Sequence, residues 1–194
     1  MINLQVRTKT DLTAEPVSNT EAKLWCKVSG STEDSIFTIL VAAARKALEK
    51  YTASSFGEKT LYATWITMPE DNLLELPYGP IISVDAVYKI DEEGTEELLT
   101  LDSDYYVYGD QDVNISVQTI WSTGIKSERS IRVEYTAGYG HVDTETLPTD
   151  LKLAILKQVA TDYMFRENLS ETQTTNLSND AKSLAAPYRK KLWF

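Results

Sequence analysis

The chain has 194 residues, 42% of them hydrophobic and 25% charged, with one cysteine, one histidine and a formal net charge of −10. A single cysteine excludes an internal disulfide, and one Cys with one His is too few for a structural zinc site, which takes four such ligands. Residues 51–145 hold 18 of the 29 acidic side chains and 5 of the 19 basic ones, so the middle of the chain repels phosphate and non-specific grip on nucleic acid is disfavoured.

The start, "MINLQVRTKTDL", is polar and lacks the apolar core of a signal peptide. "PVSNTEAKLWCKV" then pairs Ser18 with Glu21 at capping-box spacing, ahead of a short apolar face of Ala22, Leu24 and Trp25. "STEDSIFTILVAAARKALEKYT" predicts a longer helix. Ile36, Leu40, Ala43, Ala47, Leu48 and Tyr51 recur at three- and four-residue steps and would share one face, and Ser31 or Thr32 would cap it. The run "IFTILVAAA" (36–44) is too short to cross a bilayer. The expectation is a soluble protein with no membrane partner.

The period then changes. Short β-branched and aromatic runs at 60–68, 82–90, 97–101, 105–109, 113–117 and 130–136 predict strands. Val84, Ala86, Tyr88 and Ile90 alternate with Asp85 and Lys89, as in a half-buried strand. "DEEG" (91–94) reads as a hairpin loop with Gly94 at positive φ. Together these runs predict a small antiparallel sheet or barrel-like module. Helix returns at 147–168, with Leu151, Ile155, Val159 and Tyr163 on one stripe, Ala154 between them and Pro148 in the first turn. "LSETQTTNLSND" (169–180) is polar, and the chain ends on the basic, aromatic "APYRKKLWF". The expected fold is α+β. Residues 1–54 and 146–170 would form a helical bundle, 55–145 an inserted β module, and 171–194 a flexible C-terminal arm.

"RVEYTAGYG" (132–140), followed by His141 and Asp143, has the strand–glycine–helix look of a phosphate loop. Yet a P-loop needs GxxxxGK[ST] and a dinucleotide fold needs GxGxxG within βαβ, and neither is present. Gly138 and Gly140 instead read as a structural turn, with Tyr139 over the corner. His141 with Asp143 or Asp150 lacks a nucleophile, and no GxSxG occurs. The acidic pairs at 91–93, 96–97, 102–104 and 110–112 lack the frame of a calcium loop and read as solvated carboxylates. No catalytic residue, metal or cofactor is expected. The tail from Tyr188 through Arg189, Lys190, Lys191, Leu192, Trp193 and Phe194 either folds back on the bundle or anchors a partner, since aromatic and Arg side chains dominate interface hot spots.

Taken in order, "PVSNTEAKLWCKV", "EDSIFTILVAAARKALEKYT", "LELPYGPIISVDAVYKIDEEG", "LTLDSDYYVYGD", "IRVEYTAGYG", "LPTDLKLAILKQVATDYMFREN" and "LAAPYR" resemble the head–tail connector (adaptor) proteins of tailed bacteriophages, in the longer variant with a β insertion. The resemblance implies a non-enzymatic virion protein at the head–tail interface, assembled in the host bacterial cytoplasm. It implies a homo-oligomeric ring, typically a dodecamer, beneath the portal protein. That ring would extend the DNA channel, let the genome pass without specific binding, and receive a stopper or tail protein. It further implies that Tyr188 to Phe194 dock on the portal. The middle loops and the "KKLWF" end depart from the family pattern. Rival readings are another head-completion, stopper or tail-completion ring, a small carboxylate- or metal-dependent enzyme around His141, and a cellular binding module. Gene neighbourhood beside portal and capsid genes separates the virion readings from the cellular one.

Overall fold

The computed structural model describes residues 4–66, 69, 71–91, 93–110, 112–117, 131–140, 146–165 and 177–190. In chain order these form β1 (Leu4–Thr10), α1 (Asn19–Trp25), α2 (Asp34–Thr52), β2 (Lys59–Trp65), β3 (Leu73–Glu75), β4 (Ile81–Ile90), β5 (Glu96–Leu98), β6 (Tyr105–Tyr108), β7 (Asn114–Val117), β8 (Ile131–Ala137), α3 (Thr149–Met164), α4 (Asn179–Ala185) and a 3-10 turn, Ala186–Tyr188. The fold is α+β, with four helices and two antiparallel sheets of five and three strands among the described residues, ordered β1-β2-β8-β4-β5 and β3-β7-β6. The β segment is not a barrel.

β2 and β8 form the middle of the large sheet and alternate strictly between buried and half-buried residues. Their register sets Leu61 opposite Tyr135, Ala63 opposite Val133 and Trp65 opposite Ile131. All six are buried on one face, where they meet Leu74 and Ile115 of the small sheet. Each of the Leu, Val and Ile side chains among them is worth about 1.5–3 kcal/mol when buried in full, which makes this seam the sheet core. β4 departs from the alternation its sequence suggests. Irregularities between Ile81 and Ser83 and between Val84 and Ala86 shift its register, so Ile81, Val87 and Ile90 are the buried residues.

The helices build a second core from α1, α2, α3 and α4. The capping box forms: Ser18 accepts from the Glu21 N–H while the Glu21 carboxylate accepts from the Ser18 N–H at 2.7 Å. On α3, Leu151, Ala154, Ile155 and Val159 are buried as the stripe predicts, and Tyr163 stacks on Phe37 with centroids 4.9 Å apart. On α2 the buried stripe is Phe37, Val41, Ala44 and Leu48, while Ile36 and Ala43 face outward. The sequence carries apolar residues at helical spacing on more than one side of α2, and periodicity cannot say which side the core takes. Nor do Ser31 and Thr32 cap this helix. Its N-cap is Glu33, whose carboxylate makes no capping bond and instead accepts from the Tyr163 hydroxyl at 2.5 Å, and the Asp34 N–H donates to the Ser31 carbonyl at 3.2 Å.

Three elements stand where the sequence reading has none. Residues 4–10, expected with the helices, are an edge strand paired antiparallel with β2. The short β3 completes the small sheet. Residues 179–188, expected within a flexible arm, fold as α4 and a 3-10 turn. Ser178 caps α4, Ala181 and Ala185 are fully buried, and Lys157 pairs with Asp180 at 2.7 Å. Small residues permit the close helix approach, so α4 carries almost no hydrophobic pattern for a reader to find.

Candidate assembly surfaces

The glycine junction is a turn built by sterics. Gly138 has φ +138°, donates to the Pro80 carbonyl at 2.8 Å, and a Cβ there would sit 2.0 Å from the Gly57 carbonyl oxygen. Any side chain at 138 therefore collides with backbone. Gly140, at φ +89°, has open space around it. Tyr139 packs on the helical core. The strand feeding this junction is antiparallel to both neighbours, so no phosphate cradle of the βαβ kind exists here. His141 and Asp143 lie outside the described residues. Asp150 accepts a long bond from the Tyr188 hydroxyl, 3.4 Å. Among the described residues no group of three or more His, Cys, Asp or Glu side chains converges as a metal site. Burial pushes the Cys26 thiol up, away from reactivity.

A buried ionic seam joins the helices to the large sheet. Arg45 on α2 donates to Glu15 at 2.7 and 3.2 Å and to Glu49 one turn on at 2.9 Å. Lys59, entering β2, donates to Glu49 at 2.8 Å, and the other Glu49 oxygen accepts from the Phe56 N–H at 2.8 Å. The side chains of Arg45, Glu49 and Lys59 are 3%, 6% and 8% exposed, so each charge is both buried and met. Burial works against the Arg45 cation, but Glu15, Glu49 and Asp11 outweigh it and raise its pKa. Burial likewise disfavours the Asp11 carboxylate, but the Leu12 N–H and the charges of Arg45, Lys59 and Lys46 hold it below the ordinary range. Above the seam, between β1 and α2, opens a cleft of about 610 Å³ over Val6, Leu61 and Tyr78, rimmed by Lys46 and Lys50. Phe37, Val41, Arg45 and Glu49 stand four apart, so two charges continue an apolar stripe, but the spacing alone does not single out this face of α2 as the buried one.

The outer surface shows the opposite mismatch. Leu24 and Trp25, expected inside, are 79% and 46% exposed at the end of α1. Ile36 and Ile39 are exposed on α2, and Met164 and Phe165 at the end of α3. A second cleft, of about 500 Å³, lies between Leu24, Trp25 and Leu156. Exposed apolar side chains such as Leu24 and Trp25 gathered at a cleft mark an interaction surface. The free face of the large sheet is polar and aromatic: Arg132 lies between the rings of Tyr62 and Tyr88, at 4.9 and 4.7 Å, and forks onto Glu96.

The tail begins its course on its own chain. Lys190 donates its N–H to the Thr52 carbonyl at 2.9 Å and pairs with Asp112, and Arg189 lies over the Tyr51 ring at 5.5 Å. Tyr188 packs on the helical core. Lys191, Leu192, Trp193 and Phe194 lie outside the described residues.

A family model described as head completion protein matches residues 16–182. Among solved structures, a chain from the neck of an empty GTA particle computed with C6 symmetry has a TM-score of 0.74 at 18% identity, covering 98% of this chain and 97% of that one. A chain from the virion of a native gene transfer agent (GTA) particle agrees to the same degree, with TM-score 0.74, 18% identity and coverage of 98% and 97%. A third, from the neck of a native GTA particle computed with C12 symmetry, has a TM-score of 0.66 at 19% identity, covering 100% and 97%. No curated protein matches the chain.

Proposed function

This chain belongs to the head completion protein family, and from that premise we propose that it is a structural protein of the virion neck, without catalytic activity, that joins head to tail. Its copies form a ring, twelve in number, beneath the portal protein. The ring extends the DNA channel and receives a stopper or tail protein below. Assembly takes place in the host bacterial cytoplasm. The observation that carries the reading is the family match over residues 16–182, joined by a fold shared end to end with chains from GTA necks.

The surfaces described above suit such a role. A ring subunit must cover apolar area on its neighbours, and Leu24, Trp25, Ile36 and Ile39 offer it. A channel wall should not bind the genome, and the acidic middle of the chain repels phosphate. The portal anchor is the C-terminal end. Because Tyr188, Arg189 and Lys190 already hold contacts to Asp150, Tyr51, Thr52 and Asp112, Trp193 and Phe194 are the side chains this reading sends to the portal, with Lys191 and Leu192 as the link.

A reconstruction of the particle tests the whole. A ring of this chain directly under the portal supports the adaptor role. The same ring one position further down would make it a stopper or tail-completion protein, and its absence from the neck would sink the reading. Truncation after Lys190 tests the anchor and leaves the contacts of Tyr188 to Lys190 in place. Portal binding at the wild-type level by that variant would remove the anchor.

A further inference from the structure

Resting on the ring reading above, we propose that consecutive copies join by seating the acidic β4–β5 hairpin of one copy in the cleft beneath β1 of the next. A head-to-tail ring needs two different, complementary patches on opposite flanks of one subunit. β1 and β5 are the two edges of the five-stranded sheet. They stand four strand spacings apart, about 19 Å, so a chain cannot close this contact on itself.

The two flanks are opposite in charge. β1, "LQVRTKT", carries Arg7 and Lys9 and no acid. The cleft beside it adds Lys46 and Lys50 at its rim, over an apolar floor of Val6, Leu61 and Tyr78. The acids that reach this cleft are taken: Glu49 holds both Arg45 and Lys59, and Asp11 is 3.7 Å from both Arg45 and Lys46. Lys50 has no acidic partner among the described residues, so the rim keeps a positive surplus. On the other flank Glu96 is engaged by Arg132 and Glu97, though 72% exposed, pairs with Lys89 at 3.7 Å, while Glu93 has no basic partner among the described residues. Leu98, at the end of β5, is 63% exposed. The seating places Glu93 and Glu97 against Lys46 and Lys50 and covers Leu98 with the floor of the cleft. The occupant is a second copy because the complementary hairpin belongs to the same chain.

Charge reversal tests this in assembled particles. The doubles Lys46→Glu/Lys50→Glu and Glu93→Lys/Glu97→Lys change exposed side chains only, and thermal melts of the purified chains verify that both fold. Each alone should lower incorporation into necks by about tenfold or more, the scale of a disrupted charged interface. Co-expressed, the two variants match at every contact of an alternating ring, and incorporation should return to near wild type. Normal incorporation of either double, or no rescue on co-expression, overturns the interface while the wild-type ring stands. If Lys46 and Lys50 instead face an acidic portal, the Lys double fails and the Glu double cannot rescue it, which also overturns the proposal. A single wild-type copy per particle overturns the ring reading itself.

Discussion

The seam around Arg45 and the flank around Trp25 invert the usual rule in opposite directions. In the first, charges are buried; in the second, large apolar side chains are exposed. The seam is closed: every buried charge has a partner within the chain, and it locks the N-terminal segment, α2 and β2 in one arrangement. The flank is open: among the described residues nothing covers Leu24, which is 79% exposed. The contrast separates two kinds of residue. Substitutions in the seam should be read in the stability of the isolated chain, and substitutions on the flank in the assembled particle.

Breaking the seam gives the largest effect. Arg45→Ala takes the fork partner from Glu15 and leaves Glu49 with Lys59 and the Phe56 N–H, and should cost about 3 kcal/mol, seen as a large fall in the urea midpoint. Gly138→Ala should come next, at about 3 kcal/mol, because its Cβ meets the Gly57 carbonyl and its φ is unfavourable. Gly140→Ala, in open space, sharpens the comparison and should cost about 1 kcal/mol from its positive φ alone. On the flank, Trp25→Ala should leave the isolated chain within about 0.5 kcal/mol of wild type yet weaken assembly by about 2 kcal/mol, roughly 30-fold. A Trp25→Ala chain that melts early but assembles normally would reverse the assignment of the two regions.

Smaller effects refine the picture. Ser18→Ala removes the α1 cap and should cost about 1 kcal/mol, measured by denaturant titration. Asp11 and Glu21 both titrate below the ordinary carboxylate range, Glu21 chiefly through the Ser18 N–H bond and then the Ser18 hydroxyl, with burial opposing. A depressed folded-state pKa gives stability that is complete above the unfolded value and lost as pH falls through the folded one. Melting temperature should therefore decline below about pH 4, less steeply in Asp11→Asn.

Much of the candidate surface was legible as residue type but not as position. "NTEAKLW" reads as a helix whose face holds Ala22, Leu24 and Trp25, and only Ala22 is buried. The capping box, the stripe of α3 and six of the strands follow from local spacing. β1 does not, because "LQVRTKT" is an edge strand with little apolar alternation, held in place by pairing with β2. α4 does not either, since its packing rests on two alanines.

The sequence by itself determined the α+β class, the turn at "AGYG", the placement of acidity in the middle of the chain and the family resemblance. Those features depend on residues near one another along the chain, where spacing, capping and glycine conformation act directly. The tertiary structure alone decided which face of α2 is buried, that residues 4–10 close a sheet edge, that Arg45 and Glu49 meet Glu15 and Lys59, and that Leu24 and Trp25 point outward. Each of these is a contact between distant segments. Its free energy is set by which surfaces the fold brings together, and no local pattern carries that information.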